Sequence, residues 1–125
     1  MKQLKISLLL AFITFVIVSC KKSDSGTGNS YPKQVSITYK VTSTTINSAA
    51  LIQYKNESGG NTDVPNPALP YSKTITRTVN KNDVLSLAYG THTDQTVKLE
   101  IIVDNNTVKS QEFPSTAGAI IYTFQ

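Results

Sequence analysis

From Gln34 to the C-terminus the chain alternates apolar and polar residues with a period of two. Val35, Ile37, Tyr39 and Val41 interleave with Ser36, Thr38, Lys40 and Thr42, giving one face for a core and one for water. The same pattern recurs over Ala49–Asn56, with Ala50, Ile52 and Tyr54 on one side, and over Tyr71–Val79, with Tyr71, Ile75 and Val79. Further on come Leu85, Leu87 and Tyr89, then Val97, Leu99, Ile101 and Val103, then the short runs Val108–Glu112 and Ala119–Phe124. Turn signals separate these runs: Ser58-Gly59-Gly60-Asn61, Asn80-Lys81-Asn82-Asp83 and Asp104-Asn105-Asn106-Thr107, where Asn tolerates the positive φ of tight hairpins. Gly90 to Asp94 reads as a polar loop, Phe113 to Gly118 as a break, and Pro65, Pro67 and Pro70 as an irregular extended stretch without ladder donors. No segment of ten or more residues after position 33 has a helical period. About seven short strands with one-sided burial predict an all-β domain over residues 34–125, an antiparallel sandwich or barrel.

The N-terminus follows a different rule. Lys2 and Lys5 precede thirteen uncharged residues, Ile6 to Val18, and then Ser19 and Cys20. A basic start, a short apolar run and a small residue before a cleavage point describe a secretory signal over residues 1–19. As a helix the run would reach only about 20 Å, short of a ~30 Å hydrocarbon core. Ile17-Val18-Ser19-Cys20 resembles the lipobox of bacterial lipoproteins. That resemblance implies cleavage before Cys20, a diacylglyceryl group on its thiol and acylation of the new amino group; two or more chains give stable membrane anchoring, where one does not. Lys21, rather than Asp, follows Cys20, which by the same resemblance points to the outer membrane, at its periplasmic face or the cell surface. Residues 20–33, rich in Ser, Gly and Asn, then read as the lipidated Cys and a flexible tether with a root-mean-square span of about 20 Å.

Charge adds one correction to this picture. The 125 residues carry a formal +4, but a chain cut before Cys20 lacks Lys2 and Lys5, so the balance falls to +2. Arg77 is the single arginine, and without a basic stripe a nucleic-acid partner is not expected.

Candidate chemistry is sparse. Cys20 is the only cysteine and His92 the only histidine, too few for a zinc site. His92 and Asp94 lie in a Gly-Thr-His-Thr-Asp stretch without a nucleophile elbow, so the histidine reads as a solvated loop residue rather than a triad base. The carboxylates have neither calcium-loop spacing nor a pair placed across a cleft. No catalytic residue, metal or cofactor is expected. Tyr39, Tyr54 and Tyr89 fall on apolar phases and read as core. Tyr31 and Tyr71, in or beside proline-containing segments, either pack against the sheet edge or stand exposed to meet a partner or a ligand such as a sugar.

The order of motifs carries one further resemblance. Tyr39-Lys40-Val41-Thr42, Ile52-Gln53-Tyr54-Lys55-Asn56, Gly59-Gly60, Leu69-Pro70-Tyr71-Ser72-Lys73, Val97-Lys98-Leu99-Glu100-Ile101 and Val103-Asp104 resemble small Bacteroidota lipoproteins with a domain similar to the mycobacterial MmpS-type transport accessory proteins. That group often has Trp where Tyr71 stands and Gly where Asn105 stands. The resemblance implies an immunoglobulin-like β-sandwich of about seven strands. It also implies a non-catalytic, lipid-anchored envelope protein acting through an envelope partner such as a transporter. A surface module binding a carbohydrate or other ligand through Tyr71 is the alternative expectation.

Overall fold

The computed structural model describes residues 30–125; the expected signal peptide, Cys20 and most of the tether lie outside them. The described residues are all-β: six antiparallel strands in one curled sheet, with no helix. They are β1 (Lys33–Ser43), β2 (Leu51–Lys55), β3 (Asn61–Pro65), β4 (Tyr71–Val79), β5 (Val84–Val103) and β6 (Asn106–Thr123). The order is β3-β2-β5-β1-β4, and β6 lies along the remaining side of β5.

Six strands replace the seven expected because two predicted interruptions are bends within strands. Val84–Tyr89 and Val97–Val103 are the two arms of β5, and Val108–Glu112 and all of Ala119–Phe124 but its last residue fall on the two arms of β6. One strand is gained where prolines predicted irregularity: Asn61–Pro65 pairs with β2, with Val64 opposite Ile52 and Pro65 at the strand's last position. Pro is tolerated there because β3 is an edge strand. The folded region also begins slightly earlier than expected. Lys33 opens β1 opposite Val79, and the Tyr31 ring meets Phe124 edge-on at 6.4 Å.

The first arm of β5 pairs with β2, the second with β1, and both pair with β6. The bend between the arms curls the sheet. The alternating residues of the first pattern fill its concave side: Ile37, Tyr39 and Val41 from β1, Leu85 and Leu87 from the first arm of β5, and Val97, Leu99 and Ile101 from the second are completely buried. Burying each such side chain is worth about 1.5–3 kcal/mol. Polar residues at the intervening positions face outward, as in the Thr38–Thr74 hydroxyl pair at 2.9 Å.

Two turns fix the register. Asp104 and Asn105 both take positive φ, 48° and 66°, the two-residue geometry that matches strand twist. The Asp104 carboxylate accepts the Ser36 N–H at 2.9 Å and its own N–H returns a bond to the Ser36 carbonyl at 2.9 Å, which pins the hairpin to β1. In the β2–β3 turn the Asn56 side-chain oxygen accepts from the N–H groups of Ser58 and Gly60, while Gly59 adopts φ 82°.

The bend of β6 depends on Gly118. A Cβ there would sit 2.5 Å from Cγ of Phe113 and 2.7 Å from both Cδ atoms, so the ring lies directly over the glycine. The half-buried Phe113 ring in turn packs on Tyr89 at 6.0 Å. Gly118→Ala is therefore expected to destabilise the domain by about 1–3 kcal/mol through overpacking. That corresponds to a melting midpoint lowered by roughly 4–8 °C per kcal/mol. Thermal unfolding followed by circular dichroism checks this, and Gly118→Ala/Phe113→Leu should recover part of the loss.

Candidate functional site

The bend of β5 is the most unusual piece of local structure. Gly90 stands opposite Ala117 and Gln95 opposite Ser115, so four residues, Thr91 to Asp94, face Thr116 alone. Bulges of this kind redirect a strand and its side chains. The hydroxyl of Thr91 lies 2.8 Å from the Thr93 carbonyl and 3.2 Å from the Thr116 carbonyl. The Gln95 amide donates to the Thr93 hydroxyl at 2.9 Å, and the Tyr89 hydroxyl donates to the Ser115 carbonyl at 2.6 Å.

Opposite the bulge lies the connection between β1 and β2. Ser43 holds its start: its hydroxyl donates to the Thr96 carbonyl at 2.6 Å and accepts the N–H groups of Thr45 and Ile46. The Ala50 N–H bonds the Gly90 carbonyl at 2.9 Å, the Asn66 N–H bonds the Ala50 carbonyl at 2.9 Å, and the Ala49 N–H bonds the Pro67 carbonyl at 3.0 Å. Backbone hydrogen bonds thus set both walls before any ligand arrives.

Between them is a half-open groove of about 260 Å³. Ile46, Ala49 and Ala50 give it apolar surface, and Ser48, Asn66, Thr91, His92, Thr93 and Gln95 supply polar groups. No Asp, Glu, Lys or Arg lines it. An apolar base with convergent neutral hydrogen-bonding groups suits a neutral ligand or an extended segment of a partner. A smaller hollow of about 120 Å³ lies at the same bend, lined by Thr42, Ser43, Thr44, Thr96, Lys98 and Glu112. Here charge is present: Lys98 lies 3.6 Å from Glu100 and stands opposite Glu112 in register.

His92 is exposed, but it belongs to the bulge of β5 and to the groove wall rather than to a free loop. The two tyrosines singled out in the sequence are not brought together. Tyr31 packs on Phe124, with the Lys33 ammonium 5.0 Å above its ring. Tyr71 is half-buried beside Tyr54; burial raises its phenol pKa, and the neighbouring Tyr54, with which it shares a side-chain hydrogen bond, raises it further. Register places Tyr71 opposite Val41 and Lys33 opposite Val79, so the two tyrosines mark opposite ends of the β1–β4 pair, roughly 25 Å apart at ~3.3 Å per residue. Among the described residues no three His, Cys, Asp or Glu side chains are grouped to hold a metal ion.

The fold is therefore polar in the geometric sense. The chain enters beside Phe124, whose N–H bonds the Asp83 carbonyl at 3.0 Å, and the 104–105 hairpin lies at this end too. The groove lies beyond Gly90, seven residues along β5 from Asp83, on the order of 20 Å away. Compared with known proteins, the chain matches no family model and no curated protein, so the likeness to MmpS-type domains rests on the motifs quoted above.

Proposed function

We infer that the chain is an outer-membrane lipoprotein in which lipidated Cys20 tethers an immunoglobulin-like β-sandwich, the two arms of the curled sheet being its layers. It acts without catalysis, by contacting another envelope protein such as a membrane transporter. The observation that carries this reading is the placement of the preformed groove at the end of the fold opposite the one the tether enters. A tether that joins the domain beside Tyr31 leaves the groove at the far end of the fold, where a partner can reach it.

The test is site-specific photo-crosslinking in intact cells, with the probe at His92 in the groove wall or at Lys81 in the turn beside Phe124. Capture of a discrete second protein from position 92, and much less from position 81, is the expected result. No capture from position 92, or equal capture from both, contradicts the reading. The groove's neutral lining also favours the second reading, a ligand-binding module. Under that reading a glycan or small-ligand panel gives binding that His92→Ala weakens, and position 92 captures no protein.

A further inference from the structure

The sheet has three exposed edges, and they are not equally guarded. β3 is five residues long and carries Asp63 and Pro65; β4 carries Lys73 and Arg77. Short length, charge and proline are the usual protections against strand addition. β6 pairs only with β5, so its other side is open along all 18 residues. Its first arm is guarded by Lys109, Glu112 and Pro114, but no charged residue and no proline occurs from Ser115 to Gln125. The Ala117 carbonyl accepts the Ser115 hydroxyl at 2.8 Å and the Thr123 carbonyl accepts the Gln125 side-chain amide at 3.2 Å; between them the run continues without charge or proline. Ile121 on this arm is 59% exposed, the most exposed large apolar side chain among the described residues. Val84, opposite Thr123 on β5, is the exposed neighbour on the same outer face.

The geometry points to this edge as the contact between two copies of the chain, paired antiparallel along Ala117–Thr123. A two-fold axis normal to the sheet keeps each face on its own side, so a residue must pair with one of equal parity, and the segment's midpoint, Ile120, lies on the axis. That register sets Ala119 beside Ile121 of the second copy on the outer face and Gly118 beside Tyr122 on the inner face. Ile121 and Tyr122 each meet a small residue, Ile120 meets its own copy at the axis, and no like charges oppose, because the segment carries none. Isologous pairing of this kind closes at two copies, since each chain spends its one unguarded edge. A contact of one strand pair is small beside a standard interface, so the dimer is a weak, concentration-dependent one. The inference stands apart from the anchor at Cys20.

The experiment expresses two differently tagged full-length chains together, one Ala119→Cys and one Ile121→Cys, and treats cells with a short bismaleimide. The wild-type chain, with Cys20 alone, sets the background, and Thr74→Cys on the outer face of β4 is the control. A mixed dimer several-fold above both is the expected result, and Ile121→Lys in the partner chain, folded by circular dichroism, should reduce it to background. Cross-linking no greater than at Thr74, or recovery of single copies joined to a different protein, overturns the inference.

Discussion

Replacing Tyr39 by Ala is expected to remove most of the domain's stability. Tyr39 is completely buried, lies on β1 next to the central strand β5, and stacks on Tyr54 with ring centroids 5.1 Å apart. Its hydroxyl donates to the Lys55 carbonyl at 2.8 Å, joining β1 to the end of β2 across the concave face. Deleting a buried aromatic ring costs about 3–5 kcal/mol through lost transfer energy and the cavity left behind. Small domains have only about 5–15 kcal/mol in total. Tyr39→Phe keeps the ring and removes one hydrogen bond, a loss of about 1 kcal/mol. Equilibrium urea unfolding separates the two: the midpoint should move slightly for Phe and collapse for Ala, with the slope unchanged for Phe. A Tyr39→Ala midpoint near that of the wild type would show that the ring is not where the core is built.

The same residue gives the domain an alkaline limit. Burial pushes the Tyr39 phenol well above its ordinary value, and the nearby Arg77 guanidinium offsets only part of that rise. In the unfolded chain the phenol loses its proton near pH 10, while the folded state still holds it. Stability from this group is therefore present below about pH 10 and declines as pH rises further. Tyr39→Phe should flatten that part of the decline.

The second large effect concerns location. On the proposed reading, Cys20→Ala should shift the chain from the membrane fraction to the soluble fraction almost completely, because no acyl chain remains. The folded domain should keep its β spectrum and unfolding midpoint, since among the described residues the first to pack against the core is Tyr31, eleven positions after Cys20. Fractionation and circular dichroism of the same preparation check both halves. A variant that stays membrane-bound would place the attachment elsewhere, and one that unfolds would make the N-terminal segment part of the core.

The core was legible because period-two burial is a strong local signal: Val35 to Val41, Leu85 to Tyr89 and Val97 to Val103 were placed on the correct face by alternation alone. The corner was not. On β6 the half-buried Phe113 and Ser115 occupy odd positions, and half-buried Gly118, buried Ile120 and half-buried Tyr122 even ones. That one-residue change of phase, soon after Pro114, reads as a chain break although the strand continues through it. On β5 the polar run Thr91 to Asp94 reads as a loop because bulged residues leave the alternation, and nothing local says that Gln95 resumes pairing with the same partner strand. The groove was hidden for the same reason. Its walls come from the bulge, from residues 46–50 and from Asn66, and only long-range backbone bonds such as Ala50 to Gly90 bring them together. The interrupting Thr-His-Thr-Asp itself was the available clue. The strand at Asn61–Pro65 was missed because prolines argue against a central strand, whereas β3 lies at an edge.

The most direct test is the mass of the N-terminal fragment of the full chain extracted from membranes. A fragment that begins at Cys20 and carries a diacylglyceryl thioether with an acylated amino group is the predicted result. An unprocessed N-terminus, or an unmodified thiol at Cys20, would contradict the account.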